Sequence, residues 1–222
     1  MNETTHGRHL GRLLSGGALA LSLILSVACG DGLGPNTARI QVRLTDAPSD
    51  SIASAEVWIS RVYLAGRDTD QEEEPAGEVE LFHDAENPRV YDLLTLQDGV
   101  TADVTDPVQV ESGVYNQLRL VVDRARITLA EVDTDDDGEP DTQLTFQNGE
   151  TSKDLFVPSG FETGIKVQLS GPIDAETGDT EIVLVDFDVD RNFVMQTDPP
   201  HGIRDILFTP TLVEQQRTDQ QN

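Results

Sequence analysis

From Thr37 to Val213 short segments carry apolar residues at alternate positions, and no segment keeps a 3.6-residue period over three turns. Successive side chains on a strand point to opposite faces, so this pattern buries one face of a sheet and wets the other. Helical bundles and doubly wound α/β folds are thereby excluded. Ile40, Val42 and Leu44 alternate with Arg39, Gln41 and Arg43. The longest such run begins at Tyr115. Leu118, Leu120 and Val122 share one face there, continuing through Ile127 and Leu129, and the chain returns at Leu144 and Phe146 after an acidic loop.

Turn formers punctuate the remaining segments. Thr45–Asp50 contains Pro48, Asp98-Gly99 follows Val90–Leu96, and Asn148-Gly149 follows Phe146. Each supplies a fixed φ or tolerates a positive one. Ser54–Leu64 forms a second strand in which Val57 and Ile59 share one face and Val62 and Leu64 another. The register therefore slips near Ser60-Arg61, as a β-bulge would cause. Glu181–Val189 reads as a strong strand that places Asp186, Asp188 and Asp190 on one solvated face, spaced by about 7 Å. Ile206–Val213 reads as the closing strand, with Pro210 favouring an edge. About ten strands at this spacing imply an all-β, antiparallel β-sandwich. Residues 38–214 form the sandwich domain, and 215–222 read as a polar tail.

Residues 1–28 read as an export signal. Arg8 and Arg12 precede the apolar run Leu13–Val27, which is too short for a comfortable membrane span. It ends Leu25-Ser26-Val27-Ala28-Cys29-Gly30, and a small residue before a lone cysteine resembles a bacterial lipobox. That resemblance implies cleavage before Cys29 and lipid, palmitate included, on Cys29. Residues 29–37 then serve as a Gly- and Pro-containing tether. The expected location is extracytoplasmic, on a bacterial membrane, with the outer membrane favoured. Cys29 is the only cysteine, so no disulfide forms within the chain.

The net charge of -26 bears on partners. Removing residues 1–28 takes away two arginines and one glutamate, leaving 13 basic and 40 acidic residues. Phosphate backbones are repelled by such a surface, so nucleic acid is not an expected partner. Cations, a carbohydrate or another protein remain.

Five short motifs occur in order: Leu44-Thr45-Asp46-Ala47-Pro48, Leu93–Gly99, Ser112–Leu120, Val157-Pro158-Ser159-Gly160 and Val185-Asp186-Phe187-Asp188. Together they resemble the DUF4382 lipoprotein family of bacteria, over about Ala38–Val213. The resemblance implies a prealbumin- or immunoglobulin-like β-sandwich on a lipid anchor, and no activity.

Asp133-Thr134-Asp135-Asp136-Asp137-Gly138-Glu139-Pro140-Asp141 follows D-x-D-x-D-G-x-x-D. Alternate carboxylates converge in such a loop, the glycine permits the sharp turn, and the carbonyl of Glu139 adds an oxygen. The expected metal set is Asp133, Asp135, Asp137, Glu139 and Asp141, and the expected ion is Ca²⁺. Leu144 stands where a bidentate acid closes an EF-hand loop, so affinity falls in the extracellular range, roughly 10⁻⁴–10⁻³ M. The competing reading is a solvated acidic turn.

Trp58 lies opposite Val57 and Ile59 in the alternation. It serves either as a sugar-stacking surface or as a packed framework residue. Tyr115, two residues after Gly113, resembles a tyrosine corner, a structural device. The mature chain keeps only His83 and His201, with no nucleophile, phosphate-loop or zinc motif. The chain thus reads as a non-enzymatic binding or scaffolding module. A carbohydrate-binding module and a carboxylate-based hydrolase are the alternatives.

Overall fold

The computed structural model describes residues 36–68, 77–157, 163–198 and 202–220. All belong to the contact unit Leu33–Asn222. The export signal, Cys29 and most of the tether lie outside the described residues. So do residues 69–76, and Pro158, Ser159 and Gly160 of the fourth motif.

The described chain is nearly all β. Its first half contains β1 (Thr37–Thr45), β2 (Ile52–Asp68), β3 (Val79–His83), β4 (Arg89–Asp92), β5 (Ala102–Asp103), β6 (Val108–Glu111) and β7 (Gly113–Leu129). The second half contains β8 (Glu131–Val132), β9 (Thr142–Gln143), β10 (Ser152–Leu155), β11 (Ile165–Gln168), β12 (Ile173–Ala175) and β13 (Thr180–Asp186). It closes with β14 (Phe193–Thr197), β15 (Ile203–Phe208) and β16 (Leu212–Gln220). The only helical turns among the described residues are a 3₁₀ turn, Leu93–Leu96, and α1, Val189–Asn192.

Twelve strands join one hydrogen-bonded sheet, whose main path runs β3-β2-β7-β11-β16-β13-β1-β5. The long strands β2 and β7 pair antiparallel from Ile52↔Leu129 to Asp68↔Val114. β11 links the two halves: Ile165 and Lys166 pair with β7, and Val167 and Gln168 pair with β16. One core runs through both halves. Ile40, Val42 and Leu44 of β1, Leu118, Leu120 and Val122 of β7, and Val183 and Val185 of β13 are all fully buried. The β1 and β7 positions are those the period-two pattern placed on one face, since the pleat sends alternate side chains to one side.

The bulge falls where the hydrophobic register slips. Pairing of β2 with β7 shifts between Trp58 and Ile59 and again between Ile59 and Arg61. The shift buries Ser60, whose hydroxyl hydrogen-bonds Asp123 Oδ1 at 2.8 Å.

Several sequence expectations need correction. Sixteen strands replace about ten, because bulges and turns split the long runs into short pieces. The sheet is mixed rather than antiparallel, for β1 runs parallel to β13 and β11 parallel to β16. Periodicity alone carries no information on strand direction. The apolar segment Val90–Leu96 is strand as far as Asp92 and a 3₁₀ turn beyond it. The Asp92 carboxylate accepts from Leu94 N and Ala55 N and turns the chain into the 3₁₀ segment. Ile206–Val213 divides at Thr209–Thr211, and Pro210 sits in that junction rather than in an edge strand. Residues 215–220 are no tail. They complete β16, which pairs with β13 in register from Thr180↔Gln220 to Asp186↔Val213. Main-chain hydrogen bonding holds this segment, so an apolar pattern was not needed to form it.

Candidate functional site

The acidic loop joins β8 to β9, a two-stranded ribbon separate from the main sheet. Asp133 organises it. Its Oδ1 accepts from the backbone N–H of Asp135 at 3.1 Å and of Asp136 at 2.8 Å, and its Oδ2 from that of Gly138 at 2.7 Å. Side-chain carboxylates of Asp mimic a backbone turn in this way. Asp136 at φ 60° and Gly138 at φ 93° take the left-handed conformations that let the chain wrap round the carboxylate. These N–H donors, Gly138 foremost, hold the Asp133 acid below the usual carboxylate range. Hydroxyls of Thr142 and Thr134 do the same for Asp141, which accepts from Thr134 Oγ1 at 2.8 Å.

Of the five sequence-predicted ligands, the fold brings three together. One carboxylate oxygen each from Asp133, Asp135 and Asp141 lies within 4.8 Å of the others. The Asp137 carboxylate stands outside that set, and Glu139 is expected to offer its backbone carbonyl rather than its side chain. Asp137 instead caps the turn, accepting from the backbone N–H of Glu139 at 2.9 Å. No further Asp, Glu, His or Cys among the described residues joins the three. Leu144 is half-buried and its N–H is held by the Ala130 carbonyl at 3.0 Å, so it belongs to the framework. Three carboxylate oxygens so placed are part of the donor set that a hard cation such as Ca²⁺ takes.

Trp58 projects from the outer face of β2, half-buried, with the Arg124 guanidinium 5.0 Å from its ring centroid. A cation–π partner of that kind covers a ring face which a sugar would otherwise stack on. Tyr115 is fully buried, and its hydroxyl donates to the Glu111 carbonyl at 2.7 Å, the bond of a tyrosine corner.

The meeting of Asp46 with Asp186 and Asp188 escaped sequence reasoning. Parallel pairing puts Thr45 opposite Asp186, and the following residues meet just beyond. Asp46 is buried there, and its Oδ1 accepts from Val189 N at 2.9 Å. Burial pushes its acid up to about 7, opposed by that bond and aided by Asp186 and Asp188. Asp186, Asp188 and Asp190 do not share a strand face as the alternation suggested. β13 ends at Asp186, Asp188 turns the chain at φ 43° and caps α1, and Asp190 lies within α1. The available signal was that Leu44–Pro48 and Val185–Asp188 both end apolar strands, but their meeting depends on parallel pairing that no local pattern encodes.

Among the described residues, no helix is long and apolar enough to cross a membrane. Compared with known proteins, residues 37–210 match the family model described as a domain of unknown function (DUF4382). No curated protein and no solved structure matches the chain.

Proposed function

We propose, for a chain that belongs to the DUF4382 family, a non-enzymatic binding or scaffolding role on the outer side of a bacterial membrane. In this reading the two halves of the sheet close over the shared core as a prealbumin-like sandwich. Lipid on Cys29 tethers it to the membrane, and one Ca²⁺ stiffens the β8–β9 loop. The observation that carries the metal part is the Asp133 carboxylate, locked by three backbone N–H groups and facing Asp135 and Asp141. Two acids close together repel unless a cation offsets them. The partial donor set predicts weak binding, matched to extracellular Ca²⁺ concentrations.

Calorimetric titration with Ca²⁺, paired with melting curves with and without EDTA, tests the metal. Heat that is lost in Asp133→Asn supports it. No heat and no Tm change sinks it. For the anchor, mass spectrometry of the membrane-extracted protein should find acylated Cys29 as the first residue, and Cys29→Ser should release the protein from membranes. An unmodified Cys29 removes the anchor from the reading.

A further inference from the structure

The outer face of β1, β13 and β16 carries an open cavity of about 460 Å³. Strand pairing sets that face in three rows. Leu184 lies between Arg43 and Gln216, Ile182 between Gln41 and Thr218, and Thr180 between Arg39 and Gln220. Rows on one face repeat about every 7 Å along a strand, and strands lie about 4.8 Å apart, so the face extends about 14 Å by 10 Å. Gly99 and Thr101 form one wall. Thr45 Oγ1 ties the segment before that wall to the strand, shared between the carbonyls of Leu96 at 3.0 Å and Val100 at 3.2 Å.

The solvated face of a sheet is ordinarily polar. β13 instead turns Ile182 and Leu184 outward, half-buried, in the middle of this face. Water in contact with them is released when an apolar surface covers them.

The polar lining departs from the rest of the chain. Acids outnumber bases 41 to 15 overall, yet no Asp, Glu, His or Cys lines the cavity. Its one charged residue is Arg43, whose Nε donates to Asp103 Oδ1 at 2.7 Å. Amides and hydroxyls supply the remainder, chiefly Gln215, Gln216, Gln220 and Thr218. Gln216 Nε2 donates to Thr218 Oγ1 at 3.3 Å. The side-chain amides of Gln215 and Gln220, and the Nη groups of Arg43, have no hydrogen-bond partner among the described residues.

Charge and hydrogen-bonding chemistry together select the ligand. A metal ion finds no anionic oxygen here, and an organic cation finds no carboxylate. An anion meets the field of a chain of net charge -26, and the one guanidinium already has its counter-ion. An uncharged molecule fits. An amide both donates and accepts, as a hydroxyl does, so these side chains match a ligand rich in hydroxyls. Ile182 and Leu184 ask in addition for an apolar surface. A sugar ring meets both conditions, with C–H groups on its face and hydroxyls round its rim.

We propose that this face binds an uncharged oligosaccharide. Its C–H surface covers Ile182 and Leu184, and its hydroxyls bond to Gln215, Gln216, Gln220 and the Nη groups of Arg43. The cavity volume lies within the range of small-molecule sites. The site gives the binding role proposed above its ligand and rests on that role. It is separate from Trp58, which stands on β2 with Arg124 over its ring.

The test begins with the purified full chain on a printed array of linear gluco-, manno- and galacto-oligosaccharides, alongside uronate-containing chains. Calorimetry of the brightest neutral tetrasaccharide follows. Kd should rise about three- to tenfold in Gln216→Ala and about fivefold or more in Leu184→Asn, with Trp58→Ala changing it less than about twofold. Gln216 is exposed, so its variant reads the site even if Leu184→Asn fails to fold. No neutral binder on the array, or binding confined to uronates, overturns the site. So does binding lost in Trp58→Ala but kept in Gln216→Ala, which puts the sugar on β2. Sedimentation of the unliganded protein reads the rival occupant: a dimer that Leu184→Asn dissociates means that a second copy covers the face, and the site is overturned. The Ca²⁺ titration and membrane extraction described above run on the same preparation. If they succeed while no sugar binds, this site falls and the anchored module stands.

Discussion

Asp46 Oδ1 accepts a hydrogen bond from the backbone N–H of Val189 at 2.9 Å, joining residues 143 apart in sequence. The bond ties the turn after β1 to the first residue of α1. The other oxygen, Oδ2, is buried with no hydrogen-bond partner among the described residues. Burial accordingly pushes the acid from its ordinary 3.8 up to about 7. An acid raised on folding holds its proton in the folded state where the unfolded chain has lost it. Its contribution to stability is therefore fully present below pH 3.8 and is lost as pH rises towards 7.

Asp46→Asn keeps an oxygen for Val189 and removes the charge. The variant should gain on the native protein as pH rises from 5 to 8, by about 1–3 kcal/mol at pH 8. Urea unfolding at the two pH values checks this. An unchanged difference between pH 5 and pH 8 would mean that Asp46 is ionised at both.

Tyr115→Phe removes the hydroxyl that reaches the Glu111 carbonyl while keeping the buried ring. A buried hydrogen bond lost in this way costs about 0.5–1.5 kcal/mol. The denaturation midpoint should fall while the slope with denaturant stays unchanged, since the fold itself is retained.

Phe187, Phe193 and Phe208 stack where α1, β14 and β15 meet. Phe193 and Phe208 have ring centroids 4.9 Å apart, and Phe187 and Phe208 lie 6.1 Å apart at an interplanar angle of 3°. Phe193→Ala should destabilise by about 3–5 kcal/mol, combining lost transfer energy with a cavity. Phe193→Leu should cost less than half as much. Thermal unfolding ranks the two, and near-ultraviolet circular dichroism reports loss of the stack.

In the β8–β9 loop the N–H groups around Asp133 and the hydroxyls beside Asp141 keep both acids below the usual carboxylate range. Protons should therefore compete weakly for these two oxygens, and Ca²⁺ affinity should change little between pH 7 and about pH 5.5. Titration at both values measures it. A steep loss at pH 5.5 would show that acids other than these two dominate binding.

Much of the fold was legible before any coordinates. Inward residues such as Ile40, Leu120 and Val122 follow from the alternation, because a pleated strand gives each side chain only two directions. The slip at Ser60-Arg61 was readable for the same reason, since a bulge shifts that parity by one residue. Tyr115 was readable from its distance to Gly113, a local feature. The strand 212–220 was not, because its polar residues lack an apolar stripe and its partner β13 decides its structure. Of the Asp133–Asp141 set, spacing identified the loop but not which acids converge. The turn uses Asp137 for its own backbone, which only the loop's conformation reveals.

By itself the sequence determined the class of structure and the surface it presents. Period-two patterning favours sheets, and 41 acids against 15 basic residues leave a surface that attracts cations. Tertiary structure alone decided strand direction, the burial of Asp46 and the meeting of Leu184 with Arg43 and Gln216. Each of these arises between segments far apart in sequence, where main-chain hydrogen bonds set the register and carry no mark in the residues that make them. The acids with raised pKa are therefore set by pairing: a carboxylate's chemistry follows from what folding removes from around it, chiefly water.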